Sequence, residues 1–597
     1  MRTNQFARLM AAAVLAFAAT TPIFAATGPD HIDAAAPPVT PAAVAPPAAP
    51  AAIAPPATPA IRGTVEEKTI DVQIADKLRA VITSGQFDKR IDRAPEREAM
   101  AAFYAARNYA PLWIADGKLD ARAKAVIAQL GNAAADGLDP ADYQVPAFGA
   151  ATGAETLADA DLTLTYSALN FARHLATGRI APTRVLSEVD YGDHTPAPAD
   201  ILHKLAESSD AGAALESFNP PHRGFQALKA KLAALRDAAT RPEPVEAPAA
   251  KPVKGKRLER PSSPAATTQA QIDAVLANME RWRWLPHDLG ETYVMVNIPD
   301  YTLKVVHDHQ EEWHTKIVAG KPQTPTPLLS AQMDNVLVNP SWHVPQSIIK
   351  SEYLPRYGRD PNIFARMGLE VKRNHDGTLS VTQPPGAGNA LGRIKFNFEN
   401  KFAVYLHDTP QKQLFAADKR AFSHGCMRVE NPTMFGEVML HLAMNGPAPD
   451  ARQLSALFGR GERVFKLDEK PMVHLTYQTA FVDDAGKLQL RDDVYGFDER
   501  IRTILHSAER RIADLAPPQD AKREMANAQA NQDILRRVER GEAPNVVEFF
   551  DHLPSAPLRS EVRRAAARPR PQPVAAAGLR PDTAAQSPFP FLAIFGR

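Results

Sequence analysis

Residues 405–428 read YLHDTPQKQLFAADKRAFSHGCMR, and two clusters inside them decide how the chain is read. The first is Tyr405-Leu406-His407-Asp408-Thr409-Pro410; the second is Ser423-His424-Gly425-Cys426-Met427-Arg428. Phe402–Leu406 is apolar and aromatic, which predicts a strand with His407 at its end. Strand side chains alternate between faces, so Tyr405 and His407 share one. The second cluster carries the only cysteine of the chain. A free thiol has a pKa of about 8.5 and is little ionised at neutral pH. A histidine within reach can take its proton and leave a thiolate–imidazolium pair. His407 lies 19 residues before Cys426, and a loop of that length can return the chain beside the strand. His424 is the second candidate base; on a tight turn its side chain points away, and its backbone shapes an oxyanion hole. Gly425 permits the sharp turn that aims consecutive N–H groups at one oxygen. Ser423 belongs to the same turn. Tyr405 can donate its hydroxyl to an oxyanion or a substrate, and Arg428 can hold a carboxylate. A zinc site on His407, His424 and Cys426 is the alternative; the short-spaced ligand pairs usual for zinc are absent, and no metal or cofactor is expected.

Outward from this stretch, 268–505 is rich in Val, Ile and aromatic residues. Strands are predicted at Tyr293–Ile298, Leu303–Val306, Thr315–Val318, Val336–Val338, Phe402–Leu406, Val473–Phe481 and Leu488–Leu490. The stretch from Trp342 to about Leu391 has no clear strands and reads as a lid or binding loop. Upstream, 63–236 is helical: Ala99–Tyr109, Leu119–Leu130, Leu162–Thr177 (closed by Gly178) and Phe225–Leu235 carry apolar residues at helical spacing. Gln269–Arg281 predicts a further helix. Residues 26–62 and the basic stretch 237–267 are Pro/Ala-rich linkers. Residues 506–597 read as polar helices followed by a disordered tail.

With 597 residues, the chain is too long for one ordinary core; about three or four domains is the length prior, lowered by 53 prolines. The net charge of +1 argues against a dedicated nucleic-acid binder. Arg2 and Arg8, the apolar run Leu9–Ala19 and Ile23-Phe24-Ala25 have the layout of a secretory signal peptide over 1–25, so a periplasmic destination is expected. One cysteine in an exported chain cannot form an internal disulfide. It is a buried inert thiol, an intermolecular bridge or a nucleophile.

His407 followed by Ser423-His424-Gly425-Cys426-Met427-Arg428 resembles the signature of the L,D-transpeptidases with the YkuD-type catalytic domain. The likeness is greatest to the large Gram-negative YcbB-like branch. It extends to Asn278–Pro286, Val296–Pro299, Asn339–Pro345, Gly388–Gly392, Tyr109–Trp113 and Asp136–Pro140. The resemblance implies a multidomain architecture: an α-helical scaffold domain and a β-rich, mixed α/β catalytic domain, with a substrate-capping insertion at about 341–391. It implies that Cys426 attacks the L-centre carbonyl of diaminopimelate in a tetrapeptide stem, expels D-alanine and forms a thioester. A neighbouring stem amine resolves it into a 3→3 peptidoglycan cross-link. Trp342 and Asn389 fall in segments matching the branch and are candidate substrate contacts. Carbapenem sensitivity is implied as well. Water, or a lysine of an outer-membrane protein, is the alternative acceptor; a non-catalytic peptidoglycan-binding scaffold is the alternative from another class. The chain departs from the branch by lacking a peptidoglycan-binding module between its two domains. It also carries Arg428 where the broader family has Asn.

Overall fold

The computed structural model describes residues 68–514, apart from 92, 151–152, 241–263, 350–352, 358–359, 361, 375–378, 508 and 511–512. The expected signal peptide, the linker 26–62, most of the basic linker 237–267 and the tail beyond 514 lie outside the described residues. No helix among the described residues is long and apolar enough to cross a membrane.

The helical half is organised on Ala154–Thr177, which begins eight residues before the predicted start. Its core face includes a carboxylate, Asp161, which interrupts the apolar period there. Asp161 accepts hydrogen bonds from the N–H of Leu112 (3.0 Å), the N–H of Trp113 (2.9 Å) and the hydroxyl of Tyr104 (2.5 Å). Trp113 Nε1 donates to Thr165, one turn along the same helix, at 2.8 Å. Burial pushes the Asp161 carboxyl up to about 6. Pro111-Leu112-Trp113 is thus seated on the central helix by a polar anchor. Around it lies an apolar core that includes Ile74, Leu78, Met100, Val126, Leu169 and Phe171.

A second core does not respect the boundary between the two halves. It joins Ile180–Tyr191 and Phe225–Leu235 of the helical part to the strands of the β-rich part. Helix Arg223–Thr240 runs five residues beyond Leu235 into the stretch read as linker, where Ala238 and Ala239 favour continued helix. Helix Pro264–Trp282 likewise begins inside that stretch and packs against it. The seam is polar as well as apolar. Gly178 caps the central helix with φ +91°, and a Cβ there would sit 2.6 Å from Glu280 Oε1. Glu280 accepts from the N–H of Ile180 (2.6 Å), Arg283 Nε donates to the Leu175 carbonyl (3.2 Å), and Trp284 Nε1 donates to the Ile180 carbonyl (3.1 Å). The short strand Val189–Asp190 adds in parallel to Leu328–Leu329 of the sheet.

The main sheet consists of β1 (Thr292–Asn297), β2 (Thr302–His307), β3 (Gln310–Gly320), β4 (Leu328–Val338), β5 (Ile394–Phe398), β6 (Leu406–His407), β7 (Ala421–Ser423), β8 (Met427–Val429), β9 (Arg463–Lys466) and β10 (Met472–Thr476). Its path runs β5-β6-β8-β3-β2-β1-β10-β4, and pairing of β4 with β5 closes the path on itself. β9 continues along β4 beside β10, and β7 joins β3 in parallel. Two predicted strands are shorter than expected. Over 400–404 the backbone is a turn: Asn400 Oδ1 accepts from the N–H groups of Phe402 (3.1 Å) and Val404 (3.2 Å), and Ala403 has φ +53°. Only Leu406 and His407 remain as strand. Val473–Phe481 splits into β10 and Ala480–Val482 because Gln478 and Thr479 turn their N–H groups to Asn297 (2.8 Å) and Asn278 (2.9 Å).

The insertion after Trp342 does contain strands, contrary to expectation. Trp342–His343, Glu370–Arg373 and Leu379–Gln383 form an antiparallel three-stranded sheet. Glu370-Val371-Lys372-Arg373 is exposed throughout, so no apolar alternation announced it. The insertion has its own small core of Val344, Ile349, Tyr353, Ile363, Phe364, Leu369 and Val381.

The chain then returns to the helical half. Asp514 accepts from Arg173 Nη2 (2.8 Å) and Arg179 Nη1 (3.1 Å), and His174 Nε2 lies 3.0 Å from it. The Ala513 carbonyl accepts from the N–H of Ala181 at 3.1 Å. Residues 513–514, expected in a tail, are therefore part of the folded unit.

Candidate active site

Three neighbouring strands set the site. Lys395 of β5, His407 of β6 and Arg428 of β8 are register partners, and so are Phe396, Leu406 and Met427 one residue away. The apolar row is fully buried in the core, so the row with His407 faces the opposite side. Tyr405 stands on that same side, its ring edge-on to His407 with centroids 5.7 Å apart. The parallel register of β6 and β8 brings Cys426 beside Tyr405, and the Met427 N–H donates to the Tyr405 carbonyl at 3.2 Å.

The turn before Cys426 is held from several sides. Gly425 has φ +117°, a backbone conformation side chains disfavour. The buried Thr326 hydroxyl donates to the Gly425 carbonyl (2.8 Å) and accepts from the N–H of Gly320 (2.9 Å). The Ser423 hydroxyl donates to the Cys426 carbonyl (2.5 Å) and accepts from the N–H of Gly425 (3.2 Å). Lys321 N–H donates to the Ser423 carbonyl (3.0 Å). Ser423 therefore shapes the loop with its side chain, and the Gly425 N–H is spent on Ser423 rather than aimed at a substrate oxygen. Thr326 lies 100 residues from the cysteine and carries no motif, so the sequence offers no sign of its role. Thr326→Val keeps the volume but strands two buried backbone groups. We expect a stability loss of about 1–3 kcal/mol in denaturant unfolding; an unchanged midpoint would remove Thr326 from the clamp.

Cys426 is partly enclosed, and burial pushes its thiol pKa up, opposed by hydrogen bonding from Tyr405 and the charges of Lys395 and Arg428. The Tyr405 hydroxyl feels both the Cys426 thiol and the Trp342 side chain, which places the three side chains in one neighbourhood. Trp342 thereby ties the insertion to the site.

His407 is 5% exposed, and its Nδ1 bonds the Asp408 carbonyl at 2.5 Å. A carbonyl only accepts, so Nδ1 carries a proton, and the Leu391 carbonyl acts on the ring as well. Burial, with the Arg428 charge, pushes its pKa down to about 3. Burial thus disfavours the charged form of both the Cys426 thiol and the His407 imidazole. The Asp408 carboxylate is occupied elsewhere, accepting from the N–H of Arg393 (2.8 Å), the N–H of Thr409 (2.7 Å) and Lys412 Nζ (2.6 Å). The group that orients His407 is a main-chain carbonyl, which no residue type signals.

The remaining candidates divide. Arg428 is buried beside His407 with Nη1 donating to Gln411 at 2.9 Å, and burial brings its pKa down to about 10. His424 places Nε2 3.3 Å from Lys321 Nζ. Asn389 corrects the expectation of a substrate contact. Its amide nitrogen lies 2.9–3.1 Å from the carbonyls of Pro340, Gln383 and Pro384, and its Oδ1 accepts from the N–H of Leu391. It closes the neck of the insertion. Among the described residues, the acidic, His or Cys groups gathered closely enough to hold a metal are Glu291, His307 and Asp308, so the zinc alternative at Cys426 has no geometric support. Lys395, which the sequence reading does not name, is brought to the same face by its pairing with His407.

Residues 98–232 match the family described as a scaffold domain, and residues 291–464 match the L,D-transpeptidase catalytic domain. A Haemophilus influenzae protein provisionally named an L,D-transpeptidase is 29% identical over 240 residues, 38% of this chain and 48% of that protein. The chain thus spans about half the length of that curated relative. Among solved structures, an L,D-transpeptidase from Mycobacterium smegmatis matches at 12% identity over 31% of this chain and 58% of its own, with a TM-score of 0.16. L,D-transpeptidase 3 from Mycobacterium tuberculosis, in complex with a faropenem-derived adduct, matches at 14% over 31% and 60%, also with a TM-score of 0.16. Scores this low carry no argument.

Proposed function

We propose, from the match of residues 291–464 to the L,D-transpeptidase catalytic domain and of residues 98–232 to the scaffold domain, that the protein cross-links peptidoglycan in the periplasm through a thioester on Cys426. The observation that carries this reading is the strand register that sets Cys426 beside Tyr405, whose ring stands edge-on to a buried His407 with Nδ1 fixed by the Asp408 carbonyl. His407 Nε2 takes the thiol proton as Sγ attacks the L-centre carbonyl of diaminopimelate in a tetrapeptide stem. Tyr405 donates to the oxygen on which charge develops. The C–N bond to D-alanine breaks, and the proton passes from His407 to the departing amine. The side-chain amine of a second stem then attacks the thioester, loses a proton to His407 and regenerates the thiol, leaving a 3→3 amide. Arg428 and Trp342 border the stem.

Incubating the protein with purified disaccharide-tetrapeptides and weighing the products tests the reading. A dimer lighter than two monomers by one D-alanine is the expected product. Tripeptide monomer alone would make the enzyme a carboxypeptidase, and unchanged tetrapeptide would remove the reading. The protonation state has its own check. Iodoacetamide labelling of Cys426 should climb steadily through neutral pH, because burial raises the thiol and holds His407 neutral. A rate flat from about pH 5 to 8 would instead show a preformed ion pair.

A further inference from the structure

We propose that Lys395 is a charge-positioning residue of the nucleophile: its ammonium, lying on the face of Tyr405, acts through the tyrosine hydroxyl to stabilise negative charge at Cys426. The proposal rests on the reading of Cys426 as nucleophile and adds a residue that neither the motif nor the family comparison marks.

Three placements carry it. Lys395 is the register partner of His407, so β5 delivers it to the reacting face rather than to the core. Its Nζ stands 4.0 Å from the centroid of the Tyr405 ring, a close cation–π contact. The register of β6 and β8 sets Tyr405 beside Cys426, and each bears on the other's charge. A cation on the face of a phenol draws electron density from the ring and makes the O–H a stronger donor. The charge is also close enough to favour the thiolate directly, and Lys395 and Cys426 each perturb the other.

A lysine on a strand face usually lies along the surface and pairs with a carboxylate. Among the described residues Lys395 forms no ion pair; Glu462 acts on it only at longer range. Its partners are an aromatic face and a thiol. Ion-pairing with the sheet therefore does not account for its half-buried position, whereas a charge held ready for the attacking sulfur does. Arg428, the other cation of the row, turns Nη1 to Gln411. Lys395 is thus the cation that covers Tyr405.

Lys395→Met and Lys395→Arg in the full chain test this with two readouts. The first is iodoacetamide labelling of Cys426 against pH, which needs no substrate. Removing a nearby cation disfavours the thiolate, so the labelling profile of the Met variant should move up by about one pH unit. The Arg variant should return to the parent profile. The second is D-alanine release, where the Met variant should lose about tenfold in kcat with KM within about twofold. A Met variant whose labelling profile overlays the parent overturns the proposal. So does a rise in KM alone, which would make Lys395 a contact for a stem carboxylate, and so does an Arg variant that behaves like Met. The labelling readout separates this proposal from the functional one. A Cys426→Ala protein that still released D-alanine would remove the nucleophile and leave the labelling profiles standing.

Discussion

Cys426→Ala is expected to abolish D-alanine release from tetrapeptide stems, a loss on the order of 10⁴-fold or more. The size follows from what the substitution removes. No other cysteine exists in the chain to replace the sulfur. His407, Tyr405 and the loop stay in place, yet with no nucleophile the remaining groups can only orient and polarise the stem. Ser423 is the nearest hydroxyl in sequence, and its Oγ is bonded to the Cys426 carbonyl and the Gly425 N–H, so it does not substitute. The alanine protein should fold, because truncating a partly enclosed thiol costs about 1 kcal/mol. Thermal melting checks that. A carbapenem should add one covalent mass to the parent and none to the variant. Unchanged release from a folded variant would sink the assignment.

Asp514→Ala is expected to destabilise the whole folded unit by about 3 kcal/mol at neutral pH. Its carboxylate is the shared partner of Arg173, Arg179 and His174, all buried. Removing one member of a buried ionic group leaves charge uncompensated, typically a cost of about 3–5 kcal/mol. The low end applies because Glu96 still pairs with Arg173 at 2.8 Å and Asp142 with Arg179 at 3.1 Å. The pH dependence has a definite sign. Asp514 is held far below the ordinary carboxylate range, so its contribution is present above an unfolded value of about 3.9 and fades as pH falls below it. His174 is pushed down to about 3 by burial. Between about pH 6.5 and 3 the unfolded chain binds a proton there that the folded chain refuses. Stability should therefore fall on acidification, by up to about 1.4 kcal/mol per pH unit from this residue. His407 adds in the same direction. Melting curves from pH 8 to 4 measure it, and a variant as stable as the parent throughout would show that the clasp contributes nothing.

Most of the strands were legible because β1, β2, β3 and β10 carry Val, Ile and Leu at alternating or continuous positions. Cys426, His407 and Tyr405 stand out as candidates because a reactive side chain announces itself by type and spacing, and the fold brings the three to one neighbourhood. Other features were hidden for physical reasons. A carbonyl belongs to every residue, so the orienting role of Asp408 left no mark, and its conspicuous carboxylate is engaged elsewhere. Asn389 was named because its segment matches the branch, and such a match does not separate a structural amide from a ligand-binding one. Thr326 and Lys395 act across strand pairings that bring distant segments together. The strands of the insertion were missed because a small sheet with an exposed strand needs no apolar alternation. The start of Ala154–Thr177 was missed because its core face is anchored by a carboxylate.

The shared interior beneath Ile180–Tyr191 and Phe225–Leu235 has a practical consequence. The chain could be divided within 241–263 and produced as two separate polypeptides. The first fragment would keep the core around Ala154–Thr177, but the core that joins the two halves would belong to neither. The first would carry helix Arg223–Thr240 and the strand Val189–Asp190 without the sheet they cover; the second would hold the sheet, Trp284 and Asp514 without their receptors. Each would be the missing half of the other's fold, so co-expression should restore a working enzyme where either half alone aggregates.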